Sequence, residues 1–323
     1  MRTGVITTAL LDRSLDEALD YVHSLGVRTV EIPAAGGFWP ATHCDPLALE
    51  SDAVLAAAFT EQFRSRELEI SAFALHGNPV DPNKTRAAIY WEHYQAACHL
   101  AERMGVGRIT ILAGLPGAGP KDEFPNWIVF PFPSELSRAL EWQWDERVLP
   151  YWERAARIAV DSGVRLCFEM VPNDTVCTPD TLLRLRAEIG DVVGANLDPS
   201  HFMFQLLDPI TAIDTLGEAI YHVHAKDVAF NEKMLRRKGT LDMAALGHVV
   251  ERSWNYRTMG WGHDQTYWAN FITELRLHGY DDVLSIEHED AVLTAEEGLR
   301  KAVEFVDRLI PREPLTGDLF IAT

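Results

Sequence analysis

The sequence predicts an α/β fold, a single (β/α)₈ or TIM barrel. Two observations carry this prediction: apolar strand-like runs alternate with helical segments eight times along 323 residues, and glycines follow several of the helical patterns. Buried parallel strands are apolar runs of about four to eight residues, and eight β-α units over such a length are typical of a closed barrel. A doubly wound open sheet is the rival fold, but no dinucleotide-binding or P-loop glycine pattern favours it.

The eight predicted units follow one another along the chain. Their strand and helix ranges are 4–8 with 14–25, 27–32 with 51–66, 68–75 with 84–104, 107–113 with 145–162, 164–170 with 178–188, 192–198 with 208–217, 219–225 with 264–277, and 282–287 with 294–309. Ser14 and Glu17 have capping-box spacing at the first helix. Left-handed glycine caps are expected after four helices, at Gly26, Gly105, Gly163 and Gly279.

Two connections are too long for plain βα loops. They cover 113–144 and 226–263, after the fourth and seventh strands, and therefore lie on the catalytic face. Their aromatic residues either pack over the barrel mouth or a subunit interface, or form a lid that stacks on a sugar and excludes water. The aromatic residues in question are Trp127, Phe130, Phe132, Trp142, Trp144 and Trp254. We predict a catalytic barrel domain over 1–310 and a C-terminal surface tail over 311–323.

Composition indicates which partners the protein is not expected to bind and in which cellular compartment it is expected. The chain has 29 basic and 48 acidic residues, a net charge of −19, which argues against nucleic acid and anionic membranes as partners. No apolar run reaches membrane-spanning length. The four cysteines lack CxxC spacing, so we expect reduced thiols in a cytoplasmic protein.

Four polar residues stand at the ends of the last four predicted strands: Glu169, Asp198, His224 and Glu287. The carboxyl ends of barrel strands meet at one face, so these side chains are expected to gather there. One such residue alone is weak evidence for a metal site, because a carboxylate at a strand end often only forms a salt bridge. Four in succession favour a divalent cation, and this oxygen-rich set suits Mn²⁺, Mg²⁺ or Co²⁺.

Further candidates surround these positions. His201 in LDPSH is expected to point into the mouth, although a helix cap or a core histidine is the alternative. In HVHAKD, His222 is expected to be a deeper, hydrogen-bonded residue, and Lys226 and Asp227 are rim residues that either contact substrate or form a surface ion pair. Glu289 is expected to lie beyond the last strand.

The first half of the chain and the second long loop add candidate substrate contacts. His76 and Asn78 in HGNP follow the third strand. They are expected either to hydrogen-bond a polyol or to stabilise the turn formed by these residues. Trp39 follows the second strand as a candidate apolar wall. Arg257 and His263 are expected near the mouth, with structural roles as the alternative.

These residues carry a family likeness. The chain resembles the xylose-isomerase-like barrel family of sugar phosphate isomerases and epimerases, which includes ketose 3-epimerases. The likeness covers nearly the whole length, and its most specific motifs are EI followed by GG near strand two, ISA with HGNP, PNW, EWQW with PYW, LDPSH, HVHAKD, RT with GWGH, and GYDDVLSIEHED.

The resemblance implies one divalent cation, Mn²⁺ first, held by the four strand-end residues named above. It also implies that Glu169 and Glu287 form an acid/base pair, with His201 steadying an enediolate oxygen. The chain departs from its relatives after strand five, where many read EMHPG and this chain reads EMVPN. Val171 therefore stands where those relatives have a histidine, which puts direct transfer of one named activity in question.

The expected function is a metal-dependent sugar isomerase or epimerase acting on a keto sugar or keto-glycoside. The catalytic subunit of C-glycoside deglycosidases is also similar to this family, so a carbon-carbon lyase that eliminates an aglycone from a 3-oxo-C-glycoside is the alternative. A non-catalytic sugar-binding barrel is the third reading. The expected partners are a small sugar or glycoside and further copies in a homo-oligomer, with a small second subunit under the alternative.

Overall fold

Eight parallel strands form a closed barrel in the computed structural model, which describes residues 1–315. Their order around the barrel is β1-β10-β7-β6-β5-β4-β3-β2, and β1 pairs with both β10 and β2. This confirms the predicted (β/α)₈ barrel and excludes the open sheet. The barrel strands are β1 Arg2–Ile6, β2 Thr29–Pro33, β3 Glu69–Leu75, β4 Arg108–Ile111, β5 Arg165–Glu169, β6 Val193–Leu197, β7 Ile220–Ala225 and β10 Val283–Ile286.

Helices surround the barrel and cover its apolar outer face. They are α1 Leu15–Ser24, α2 Pro46–Ser51, α3 Ala53–Arg64, α4 Lys84–Met104, α5 Ser134–Gln143, α6 Leu149–Asp161, α7 Pro179–Ile189, α8 Pro199–Met203, α9 Pro209–Leu216, α10 Glu232–Lys238, α11 Gln265–Leu277 and α12 Ala295–Leu309. Within residues 1–315, none of them combines the length and the apolar character needed to cross a membrane. The predicted tail over 311–323 lies outside the described residues from position 316 onward.

Local signals fixed several boundaries as predicted. The capping box of α1 is present in both directions between Ser14 and Glu17. The fourth helix runs over Lys84–Met104, the predicted range. All four predicted cap glycines have a positive φ, and all four cysteines are free.

The structure differs from the predicted elements in three places. The first strand begins two residues earlier and ends at Ile6, because residues 7–10 form a 3₁₀ turn. The helix predicted over 51–66 is α3, which begins at Ala53 because the Asp52 side chain accepts from the N–H groups of its first turn, and a short unpredicted helix, α2, precedes it. The helix predicted over 145–162 is α6, which is joined to α5 through a π-helical turn.

Both long connections contain regular structure. The first includes α5, and the second includes α10 and an antiparallel pair of strands, β8 Asp227–Phe230 and β9 Trp254–Arg257. We call this pair the hairpin. Because β8 begins two residues after β7 ends, the hairpin rises directly from the carboxyl end of the barrel.

The glycine that ends α4 offers a controlled test of the caps. Gly105 has φ 70°, and a Cβ there would meet nothing within 4 Å, so Gly105→Ala adds backbone strain without a clash. We expect a loss of about 1 kcal/mol in the free energy of unfolding, measured by urea denaturation. Gly107→Ala is the matched control, since that site is equally open but its φ is not positive. Equal stability of the two variants would contradict this account.

Candidate metal centre

The four strand-end residues come together at the carboxyl end of the barrel. Glu169, Asp198, His224 and Glu287 each offer one ligand atom within 4.8 Å of all the others, and all four are buried. Glu169 and His224 belong to β5 and β7, and Asp198 and Glu287 directly follow β6 and β10. These strands are neighbours in the barrel, so the sequence order is also the spatial order. His224 Nδ1 lies 3.1 Å from Glu169 Oε2 and 3.3 Å from Glu287 Oε2.

Lys226 lies inside this group and not at a solvent-exposed rim. Its side chain is almost fully buried, and Nζ lies 2.5 Å from Glu287 Oε2 and 2.9 Å from Asp198 Oδ2. Glu289, whose side chain is 37% exposed, places Oε2 at 2.9 Å from the same nitrogen. The ring of Tyr256 covers the ammonium at 4.6 Å from its centroid. The buried ammonium group of Lys226 therefore contacts three carboxylates.

His201 bridges the cluster and the hairpin. Its Nε2 lies 2.9 Å from Glu169 Oε1 and 3.3 Å from Asp198 Oδ2. Its Nδ1 lies 3.2 Å from the hydroxyl of Tyr256 on β9. The turn LDPSH produces this placement, because Asp198 caps the short helix α8 and His201 stands one turn further on.

Opposing effects set the protonation of the cluster. Burial alone raises the pKa of Glu169, but the charges of His76 and His224 outweigh it and bring that pKa well below its usual value. Burial acts in the same direction on Glu287, yet Lys226 and His224 lower its pKa to about 2. Burial would lower the pKa of Lys226, but the surrounding carboxylates raise it. Glu169, Glu287 and Lys226 are therefore charged at neutral pH.

His76 and Trp39 form the wall of the cluster that faces Glu169. His76 Nε2 lies 3.5 Å from Glu169 Oε2, and the two rings of His76 and Trp39 meet edge to face with 6.1 Å between centroids. Gly37 permits this approach, since a Cβ there would lie 2.0 Å from the His76 carbonyl oxygen. His76 Nε2 and Trp39 Nε1 are buried without a hydrogen-bond partner.

Two of the predicted substrate contacts are loop anchors. Asn78 donates to the carbonyl of Leu115 at 2.8 Å and accepts from its N–H at 3.0 Å, so both ends of the amide are used. Asp227 accepts from the backbone N–H groups of Gly260, Gly262 and His263 at 2.9–3.1 Å, and it is fully buried. The Asn78 side chain thus links the loops that follow β3 and β4.

Arg257 and His263 lie at the edge of the site. Arg257 Nε donates to Asp290 Oδ2 at 3.1 Å, and its guanidinium lies 5.4 Å from the ring centroid of Trp261. His263 Nδ1 lies 2.7 Å from Asp227 Oδ1. Arg257 is thus paired with the segment after β10 and His263 within the second long connection, and among the described contacts neither touches the four candidate ligands.

The aromatic residues of the long connections have divided roles. Trp144 is buried beneath the guanidinium of Arg184, and Trp254 stacks on Phe204 at 3.8 Å with the planes 2° apart. These two tryptophans are packing residues. Phe130 and Phe132 are 71% and 69% exposed, and Trp127 and Trp142 are half-buried.

Three residues at the cluster were not among the sequence candidates. Glu31 on β2 contacts His224 from below, and Asn196 on β6 donates to Glu169 Oε2 at 2.8 Å. Tyr256 belongs to the hairpin. A charged residue inside the apolar run VRTVEI was the available signal for Glu31. Nothing in the pattern of the long connection marked Tyr256.

The donor set fits a divalent cation. Three carboxylates and one imidazole are the ligand types that hard or borderline metals accept, and their atoms are close enough to share one ion. Asp198 Oδ2 is buried and forms no hydrogen bond of acceptable geometry, although Lys226 Nζ lies 2.9 Å away. Buried carboxylates at this density are costly unless cations offset them. The cluster could therefore hold a metal ion.

Comparison with known proteins identifies the family. The model of the xylose isomerase-like TIM barrel family matches residues 19–309. The chain belongs to this family. It is 32% identical to the uncharacterized protein YfiH of Bacillus subtilis (strain 168) over 313 residues, which cover 96% of this chain and 99% of that protein.

Two solved structures share the fold at low sequence identity. The IOLI protein, whose crystal structure holds a zinc atom, superimposes with a TM-score of 0.65 at 18% identity, over 96% of this chain and 98% of that chain. The 3-keto-D-glucoside 4-epimerase YcjR of E. coli gives a TM-score of 0.64 at 14% identity, over 96% and 98% of the two chains. At such identities the likeness concerns the barrel, which the family match already established.

The anchoring contacts of Asp227 lead to a stability prediction. Asp227→Asn replaces one acceptor oxygen by a donor that faces N–H groups, so we expect a loss of about 2 kcal/mol in the free energy of unfolding. Urea denaturation without added metal measures it. Asp191→Asn is the control, because that side chain is 93% exposed and pairs only at the surface with Arg186. A substrate contact without structural function would leave the two variants equally stable.

Proposed function

We propose that the protein is a divalent-metal-dependent isomerase or epimerase of a keto sugar or keto-glycoside, acting by proton removal next to the carbonyl. The observation that carries this proposal is the buried group of three carboxylates and one imidazole at the mouth of a barrel of this family. The names of two proteins with this fold are consistent with it, since YcjR is a keto-glucoside epimerase and IOLI is described with bound zinc.

The proposed ligands of one cation are Glu169, Asp198, His224 and Glu287. Mn²⁺ is our first choice and Mg²⁺ or Co²⁺ the next, because oxygen ligands outnumber nitrogen three to one in this set. When bound, the ion would polarise a substrate carbonyl and so acidify the adjacent C–H bond. The remaining steps are assigned to side chains of this protein.

Glu169 and Glu287 are the proposed acid/base pair. They come from β5 and β10, so they approach His224 from different sides of the barrel mouth. One ionised carboxylate takes the proton from carbon. The other first takes up a proton from solvent and then returns it to the opposite face or to the neighbouring carbon, after which the first loses its proton to solvent. Return to the opposite face gives epimerisation, whereas return to the neighbouring carbon gives isomerisation. The low pKa of Glu287 means that it is ionised and able to accept a proton at neutral pH.

His201 is the proposed donor to the enediolate oxygen. Its Nε2 faces Glu169 Oε1 at 2.9 Å, next to the proposed base. The Tyr256 hydroxyl at 3.2 Å from Nδ1 holds the other side of the ring, so the hairpin fixes its orientation. A positioned imidazole there would stabilise negative charge as it develops on oxygen.

The proposed substrate contacts include two buried polar atoms that make no hydrogen bond to the protein. His76 Nε2, at 3.5 Å from Glu169 Oε2, and Trp39 Nε1 are buried without a hydrogen bond, so sugar hydroxyls would satisfy them. Lys226 is kept as a contact to a substrate oxygen. Asn78 and Asp227 are not, because their polar atoms already bind the backbone. Arg257 and His263 stay predictions as rim contacts.

Other expectations from the sequence stay predictions as well. They are the catalytic domain over 1–310, the homo-oligomer, the small second subunit and the cytoplasmic location. The deglycosidase reading required aromatic surface for an aryl aglycone. Because Trp144 and Trp254 are used in packing, the structure provides less of that surface than the sequence suggested.

Deuterium exchange tests the reaction class. In D₂O, a panel of free ketohexoses and aryl 3-oxo-C-glycosides should give at least one compound that gains deuterium on the carbon next to the carbonyl, detected by NMR. Glu169→Gln should slow this exchange by about 10²-fold or more, since general-base catalysis contributes that much. The surface variant Glu50→Gln should exchange at the unmodified rate.

The same panel separates the two enzyme readings. Turnover without any incorporated deuterium would overturn proton abstraction. Release of free aglycone faster than exchange into any ketose would replace the epimerase proposal by the eliminating enzyme.

Metal content tests the ligand assignment. Asp198→Asn and His224→Ala should each lower the Mn²⁺ bound per chain, measured by elemental analysis after dialysis against a fixed free concentration. Glu289→Gln is the matched control: it also loses a carboxylate that contacts Lys226, but it lies outside the proposed ligand set, so its metal content should stay unchanged. Full occupancy in the two ligand variants would refute the assignment.

A further inference from the structure

Glu31 is the charged residue of the barrel interior that the proposed reaction does not use. It belongs to β2, in the first half of the chain, and its side chain is fully buried. The EI pair of the sequence motif is Glu31 with Ile32, so the motif has a residue without an assigned function. A lone buried carboxylate is among the most costly groups in a protein, and its retention needs a physical explanation.

Four donors converge on this carboxylate from three other strands. Thr110 on β4 donates its hydroxyl to Oε1 at 2.6 Å, and Ser285 on β10 donates to Oε2 at 2.7 Å. His222 and His224 on β7 place their Nε2 atoms 2.9 Å and 3.0 Å from Oε2. A carboxylate with this many donors is stable in its ionised form and accepts only.

The imidazole of His224 joins Glu31 to the candidate metal centre. Its Nε2 faces Glu31 Oε2 at 3.0 Å and Oε1 at 3.2 Å, while its Nδ1 faces Glu169 and Glu287. Since ionised carboxylates cannot donate, the nitrogen that faces Glu31 carries a proton, and Nδ1, which faces the ionised Glu169 and Glu287, carries one as well until a cation displaces it. The nitrogen that remains for a cation is then Nδ1, the one inside the candidate ligand set.

We propose that Glu31 is a positioning residue of the metal centre: it holds the proton of His224 on Nε2, fixes the ring, and so presents the Nδ1 lone pair to the cation. This inference rests on the proposed metal-dependent function. Carboxylates that accept the second N–H of a ligating histidine orient it and raise its basicity, and their loss typically weakens metal binding about 10–100-fold.

Thr110 supplies a control on the same carboxylate. Thr110→Val keeps the size of the side chain and removes one hydrogen bond to Glu31 without touching His224. Glu31→Gln keeps the shape but removes the charge. If Glu31 served only as a hydrogen-bond acceptor for the donors inside the barrel, both variants would lose stability and both would bind metal with unchanged affinity. If it positions His224, only Glu31→Gln loses affinity.

The decisive measurement is the dissociation constant for Mn²⁺, taken from the EPR signal of the free ion. We expect it to rise about 10–100-fold in Glu31→Gln and to change less than about threefold in Thr110→Val. Chemical denaturation of both proteins without metal measures their stability separately. A folded Glu31→Gln protein with Mn²⁺ affinity within about threefold of the unmodified protein would overturn the inference while leaving the metal site intact.

A second measurement needs no variant. In ¹⁵N-histidine-labelled protein titrated with diamagnetic Zn²⁺, His224 should keep its proton on Nε2, and its Nδ1 resonance should shift on binding. Coordination through Nε2, or a proton on Nδ1 in the zinc-loaded protein, would overturn the inference even if Glu31→Gln does not fold. If the unmodified protein binds neither Mn²⁺ nor Zn²⁺, the metal site and the inference fall together.

Discussion

The chemistry of the site depends on negative charge buried at the mouth of the barrel. Three carboxylates of the candidate ligand set share a space less than 5 Å across with a single imidazole. Removing such ions from water costs several kcal/mol each unless positive groups and hydrogen bonds offset it. Lys226 contacts Asp198, Glu287 and Glu289, while His224 contacts Glu169, Glu287 and Glu31. Lys226 and His224 are therefore each shared among several carboxylates, and removal of either would leave carboxylates that repel one another.

Loops around this charged group are held by buried side chains that bind backbone amides. Asp227 gathers the N–H groups of residues 260–263, and Asn78 joins the loops after β3 and β4 through Leu115. Asp174 links the loops after β4 and β5, accepting from the N–H groups of Gly114 and Val176, and burial raises its pKa to about 7. The loops at the barrel mouth are thus joined to one another by buried hydrogen bonds.

The sequence predicted the barrel and the four candidate ligands because each strand end combines an apolar run with one polar residue, as in VRLCFE and VLSIE. The same signal fails for Glu31, since a carboxylate inside a strand has no partner visible in the local pattern. Its partners are 79 to 254 positions away. The anchoring contacts of Asp227 could not be predicted for a related reason: its partners are backbone N–H groups more than thirty residues further along, and these carry no side-chain signature.

The pairing of β10 with β1 has a consequence for the order in which the site forms. Glu287 directly follows β10, the last barrel strand in the sequence, and β10 is held on one side by β1 at the amino terminus, with Val5 opposite Ile286. During synthesis on the ribosome, a chain that has emerged only as far as β7 has three of the four candidate ligands and an open seam. The complete ligand set exists only after the ring closes. A cation that requires all four residues would therefore bind only to chains in which β1 and β10 have paired.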